Sequence, residues 1–161
     1  MQRNLVLIRL PVLAVGATIV MLGPAPAQTP NVRYSNPATM AKPAGNTHVV
    51  EVSGPGRTIY IAGQLGYDST GKQGADFREQ ATLVYENLKA AVESVGGKME
   101  NIIKLNAFLT DIRAQLPIYR EVRDKFVNVA APPASTTLEV PKLAREGALL
   151  EVEAIAILPA R

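Results

Sequence analysis

The sequence predicts an α+β domain of two layers, and three observations predict it. The C-terminal stretches Ala134–Val140 and Leu149–Leu158 alternate in residue character with the period of two of a half-buried strand. Phe77, Ala81, Val84, Leu88, Ala91 and Val95 recur at alternating steps of four and three, which puts one apolar stripe on a helix. The strand-like and helical segments follow the order β, β, α, β, α, β, β, and two helices can cover only one face of such a sheet.

Ahead of this domain, Arg3 and Arg9 flank the apolar run Leu10–Leu22, followed by Pro24 and the small-x-small segment Ala25-Pro26-Ala27. That is the pattern of a secretory signal peptide over residues 1–27, cleaved so that the mature chain begins at Gln28. A membrane anchor needs about 20 apolar residues, and this run is shorter and ends in Gly23 and Pro24. The expected location is periplasmic or secreted, with no membrane contact after cleavage.

The 161 residues carry a net charge of +3, are 47% hydrophobic and include no Cys, no Trp and one His. Without Arg3 and Arg9, fifteen basic residues face fourteen acidic ones, a mature charge of +1. No Lys/Arg cluster of the kind nucleic-acid binding requires remains. An exported chain without Cys has no disulfides, so packing and association must stabilise it. One His without Cys argues against a zinc site, and no metal or cofactor is expected.

Residues 28–47 are rich in Pro, Asn, Thr and Ala, lack periodicity and read as an extended N-terminal arm before the domain at 48–161. His48–Ser53 is a first strand, Gly54-Pro55-Gly56-Arg57 a turn, and Thr58–Gln64 a second strand expected to pair back as a hairpin. The glycines lie between strands, not between a strand and a helix, so they do not make a phosphate loop. Leu65–Ala75 is a loop. Asp76 with Glu79 three residues on resembles a capping box, and Gly96-Gly97 ends the helix it opens. Ile102–Leu109 is a strand and Asp111–Gln115 a turn. Pro117 is expected in the first turn of a second helix reaching Phe126, with Ile118 or Tyr119, Val122 and Phe126 inward, a Glu121–Lys125 pair outside and Arg120 paired with Asp124.

In the last two strands, Ser135, Thr137 and Glu139 share one face, and Glu151 and Glu153 share theirs with Ile155 and Ile157. The expectation is that all seven belong to the uncovered face of the sheet. Such a face is too acidic for a sealed core and too apolar for free water, so apposition in a symmetric oligomer with wet clefts reconciles both.

Several segments, in order, resemble the Rid (reactive intermediate deaminase, YjgF) family: YIAGQL at Tyr60–Leu65, the ESVGG helix end, NIIKLNAFLTD, PPAS at Pro132–Ser135 and LLEVEAIAI at Leu149–Ile157. The resemblance covers about Val49 to Leu158. It implies a chorismate-mutase-like fold and a homotrimer with a central β-barrel and three inter-subunit clefts. It also implies hydrolysis of small enamines and imines, products of pyridoxal-phosphate enzymes, to 2-keto acids and ammonia. By the same resemblance Glu151 matches the glutamate that holds and activates water, Gly63 lines the cleft with its backbone, and Thr137 is a cleft-facing residue. Ser135 stands where active members carry an arginine that grips the substrate carboxylate, and Gly45-Asn46-Thr47-His48 stands in place of their Gly-Pro-Tyr. A hydroxyl cannot replace a planar five-donor cation, so affinity for a keto-acid imine is expected to fall about a hundredfold. Arg120, near a position that meets the cleft in the family, is a candidate displaced anion contact. The alternative reading is a trimer that binds small ligands without turnover, or a chaperone-like scaffold.

Overall fold

The computed structural model describes residues 28–161. The signal peptide expected at 1–27 lies outside the described residues. Within the arm, β1 (Asn31–Ser35) pairs antiparallel with β2 (Val49–Ser53), from Asn31 opposite Ser53 to Ser35 opposite Val49. The expected hairpin of the first two strands of the domain is therefore not formed. β3 (Arg57–Leu65) turns away after Gly54, whose φ of 81° a residue with a Cβ adopts only under strain. It pairs antiparallel with the equally long β6 (Leu150–Leu158). Length explains the exchange of partners: nine residues against nine bury Ile61, Ala154 and Ala156, whereas β2 has only five to offer.

Asp76 caps α1 (Phe77–Ser94) as its sequence predicts, with the Glu79 amide donating to the Asp76 carboxylate at 2.9 Å, while the Glu79 carboxylate accepts from the Ala75 amide at 2.7 Å and leaves the box open. It ends where Gly96 takes φ 83° and the Gly96 and Gly97 amides donate to the carbonyls of Glu93 and Val92. A short 3-10 turn (Met99–Asn101) leads into β4 (Ile102–Leu109), which pairs antiparallel with β6. α2 runs from Ile112 to Arg123, five residues earlier than Pro117 suggests. Asp111 is its true N-cap, accepting from the Ala114 amide at 3.0 Å, and Pro117 sits inside the helix at the cost of one backbone bond. Tyr119 and Val122 face inward as expected, with Phe126 partly buried beyond the helix end. Glu121 reaches across to Arg78 on α1 instead of to Lys125. Asp124 pairs with Arg123, not Arg120.

β5 (Ala134–Glu139) then lies parallel to β4 at the sheet edge, and the strand order is β3-β6-β4-β5. α1 rests on β3 and β6, with α2 beside it. Leu105, Ala107, Leu109, Leu150, Val152 and Ala154 form the floor beneath the helices, closed from above by Val84, Tyr85, Leu88, Tyr119 and Val122. The result is the two-layer α+β domain expected, with one strand more in the arm.

Register corrects one expectation about faces. Ser135 stands opposite Leu105 and Thr137 opposite Ala107, while Glu151 stands opposite Phe108 and Glu153 opposite Asn106. Bridge partners point to the same side of a sheet, so Ser135, Thr137 and Glu139 lie on the helix side and Glu151 and Glu153 on the open side. Alternation shows that a strand has two faces but not which of them is covered. Here the parallel β4–β5 pairing decides.

Candidate functional site

The open face begins as a mixed surface. Tyr60 is 78% exposed and Leu138 50%, both large apolar side chains facing away from the core. Between them the Asn106 side-chain amide donates to Glu153 at 2.7 Å and the Lys104 ammonium donates to the Thr136 hydroxyl at 2.9 Å. Glu153 is thus held across the sheet. Glu151 is half-buried on the same face. Its carboxylate lies over Gly63, where a Cβ would overlap Oε1. Only glycine leaves that space, and β3 carries a register shift between Ile61 and Gln64 at this point. Gly63 also borders a hollow of about 510 Å³ with Gln64, Tyr67, Asp68, Asn87 and Arg145. The Asn87 side-chain amide donates to the carbonyls of Leu65 and Tyr67 and fixes this loop to α1. The Thr70 hydroxyl and the Lys72 and Thr70 amides all donate to Asp68 and hold its carboxyl below the usual carboxylate range.

The second group of residues assembles on the other side of the sheet. Beneath α2, at the β5 edge, a pocket of about 260 Å³ is lined by Asn46, Leu116, Arg120, Arg123, Ser135 and Thr137 among others. Three of the residues singled out from the sequence, Ser135, Thr137 and Arg120, therefore meet here. Glu151 and Gly63 meet one another on the opposite face. The arm closes the pocket's rim: the Thr47 hydroxyl donates to the Pro132 carbonyl at 2.6 Å and its amide to that of Pro133. Thr47 is 3% exposed and bridges Ala134 at the start of β5.

Arg123 is the residue that sequence reasoning missed. Its side chain is only 5% exposed, its Nε and Nη2 donate to Asp124 Oδ1 at 2.9 and 2.7 Å, and its guanidinium carbon lies 5.8 Å from the centre of the Tyr119 ring. The available signal was its spacing, four residues after Tyr119 on the inward stripe, where an arginine must be either paired or functional. Gly45, at φ 79°, leaves room for it, since a Cβ there would overlap Nη2. Behind Arg123 the Tyr85 hydroxyl donates to that of Tyr119 at 3.0 Å. Burial pushes the Tyr85 hydroxyl well above its ordinary pKa and raises Tyr119 as well, although Tyr85, Arg123 and Ser135 pull Tyr119 back. Ser135 Oγ is buried beside the Tyr119 hydroxyl and makes no hydrogen bond of good geometry among the described residues.

Among the described residues no group of His, Cys, Asp or Glu side chains is arranged to hold a metal ion, and no helix is long and apolar enough to cross a membrane. The polar chemistry on offer is two carboxylates on the open face, Glu151 and the Glu153 that Asn106 holds, and two guanidinium groups with two hydroxyls on the helix face.

Comparison with known proteins identifies the lineage. The family model described as endoribonuclease L-PSP matches residues 39–158. A RutC family protein of Aquifex aeolicus is 34% identical over 112 residues, which is 69% of this chain and 86% of the relative. A protein of Dermatophagoides farinae named 2-iminobutanoate/2-iminopropanoate deaminase is 31% identical, over 64% of this chain and 80% of its own. Among solved structures, the Rid-family protein YyfB of Yersinia pestis superposes with a TM-score of 0.72 at 30% identity, covering 80% of this chain and 99% of the other. RidA of an Antarctic Psychrobacter species follows with a TM-score of 0.60 at 30% identity, over 78% and 98%. With the strand order, the family match and these superpositions in agreement, the chain belongs to the endoribonuclease L-PSP family, the Rid (YjgF, RutC) proteins.

Proposed function

We propose that the mature chain is an exported homotrimer that binds small imine, enamine or carbonyl compounds in clefts between subunits and hydrolyses imines to a 2-keto acid and ammonia. The observation that carries this reading is the placement of Glu151 and of the arginine pocket on opposite faces of one sheet. One chain cannot bring them together, but the open face of one copy laid against the β5 edge of the next can. The exposed Tyr60 and Leu138 supply apolar surface for that contact. The deaminase named among the relatives supports the reaction class.

In the reaction, Glu151 takes a proton from water while the oxygen attacks the imine carbon. The C=N π electrons move to nitrogen, which receives that proton from Glu151; Glu151 then moves the hydroxyl proton of the tetrahedral carbinolamine to its amine, and the C–N bond breaks to release ammonia as the C–O bond becomes the ketone. Gly63 keeps the carboxylate in place, and Ser135, Thr137 and Arg120 hold the substrate's polar end. The test is to generate 2-iminopropanoate in situ and follow its trapping by semicarbazide. The protein should divert it to pyruvate, and Glu151→Gln should remove at least 100-fold of the rate. A wild-type rate equal to that of buffer would end the deaminase reading for this substrate.

Ser135, in the position where the resembling active members carry arginine, favours a second reading, a trimer that binds without turnover. It requires Glu151→Gln to leave both ligand binding and the uncatalysed rate unchanged.

A further inference from the structure

We infer that the pocket under α2 is a carboxylate site whose main cation is Arg123, carried by the helix rather than by β5, and that Arg120 beside it selects ligands with a second carboxylate. The inference rests on the reading that this chain binds small polar metabolites, and it names their class.

Arg123 is buried yet only half answered. Asp124 occupies Nε and Nη2 through a single oxygen, and Nη1 has no acceptor among the described residues. Nη1 is not sealed from solvent, and the flat guanidinium edge it presents to the pocket suits the two oxygens of a carboxylate. Its position is fixed before any ligand arrives: the Tyr119 ring lies on one side and the Gly45 backbone on another, the latter so close that no side chain fits between. A preorganised donor loses little entropy on binding.

Ser135 Oγ independently points to a ligand. It lines the same pocket, its Oγ is buried, and beside the Tyr119 hydroxyl it makes no hydrogen bond of good geometry among the described residues. Tyr119 accepts from Tyr85 and can turn its own proton toward Ser135 Oγ, which leaves the serine proton to be donated to a ligand oxygen. A hydroxyl thus stands on the strand, and the charge comes from the helix.

The second carboxylate follows from Arg120. It lies three residues before Arg123 on the same helix, lines the same pocket and makes no ion pair among the described residues. No acidic side chain lines this space. Those nearby are engaged elsewhere: Glu121 on Arg78, Asp124 on Arg123, and Glu139 with the Ile112 amide at the start of α2, 2.7 Å away. At about 260 Å³ the pocket is below the usual range for drug-sized ligands and suits a metabolite of a few carbons. Ile112 and Leu116 give it an apolar wall against which a short carbon chain can lie.

The test compares 2-oxoglutarate with 2-oxopentanoate, which share a five-carbon chain and differ in the distal carboxylate, by calorimetric titration of the mature protein. Binding of 2-oxoglutarate should be at least tenfold tighter. Arg120→Gln should bring it to the level of 2-oxopentanoate, and Arg123→Gln should weaken both ligands more than tenfold. Arg123→Lys, which keeps the charge and loses the fork, should fall between and serves if the glutamine variant does not fold. Equal affinities for the two ligands overturn the dicarboxylate assignment. Unchanged binding in either Arg123 variant, or no binding of either ligand at millimolar concentration, overturns the site itself. Imine hydrolysis by the wild-type protein separates this inference from the proposed reaction: a protein that binds 2-oxoglutarate but never hydrolyses imines refutes the deaminase while leaving the site standing.

Discussion

Gly45→Ala tests whether the helix arginine is truly locked in place, and the molecule contains its own control. Gly45 and Gly54 sit at nearly the same backbone angle, φ 79° and 81°. A Cβ at Gly54 meets nothing within 4 Å, whereas at Gly45 it overlaps Arg123 Nη2 and comes within 3.2 Å of the guanidinium carbon. Gly54→Ala therefore reports the left-handed backbone strain alone, about 1–2 kcal/mol. Gly45→Ala adds the displacement of a nearly buried guanidinium from its partner and from the Tyr119 ring. Asp124 is 45% exposed, so its share is discounted for screening. Disturbing a buried charged hydrogen-bonding group leaves about 1–3 kcal/mol for the difference between the two variants. Urea denaturation at one protomer concentration measures both. Calorimetry with 2-oxoglutarate should show Gly45→Ala weakened about tenfold and Gly54→Ala unchanged. If the two variants lose equal stability and bind equally, Arg123 swings aside freely and its preorganisation is refuted.

Other outcomes are expected from the same structure. Gly63→Ala pushes the Glu151 carboxylate from its place, so imine hydrolysis should fall at least tenfold while the urea midpoint moves little, because the displaced atoms end a flexible side chain. Tyr85 and Tyr119 have folded pKa values raised above 10.0. The unfolded chain therefore releases their protons first, and stability, flat below pH 10, should decline above it by up to about 1.4 kcal/mol per pH unit per tyrosine. Tyr85→Phe should reduce that slope in denaturation curves collected between pH 9 and 11. Tyr60→Lys with Leu138→Asp places charges on the two most exposed apolar positions of the open face, and under the proposed assembly sedimentation should shift from trimer to monomer; an unchanged mass would show that assembly does not use this face. Expressed with its leader in a Gram-negative host, the protein should be recovered from the periplasm with Gln28 as its first residue, read by mass spectrometry of the intact chain.

Local features of this fold were legible in the sequence where one chemical signal sets them. Asp76, Glu79 and Gly96-Gly97 bracket α1 because a cap and a left-handed glycine act within a few residues. Ile102–Leu109 was read at its observed limits. The start of α2 was misplaced because proline is common in a first turn, and here it lies deeper in the helix, with Asp111 doing the capping. Strand partners were not legible: β3 chose β6 over its neighbour in sequence, a long-range preference that alternation does not encode. The same limit misassigned Ser135 and Thr137, whose spacing gave the pair a common face but not its direction. Of the site residues, Ser135, Thr137 and Arg120 do converge, and Glu151 does meet Gly63. Arg123 escaped notice because a charged residue near a helix end ordinarily faces water.

The two-sidedness of the sheet has a genetic consequence under the proposed assembly. A chain without Glu151 and a chain without Arg123 are damaged in different halves of a shared cleft, so neither is active alone while a mixture of the two is. Random association of equal amounts makes about a quarter of the interfaces whole. Two inactive alleles placed in one cell should then rescue each other, whereas two alleles disabling the same half should not.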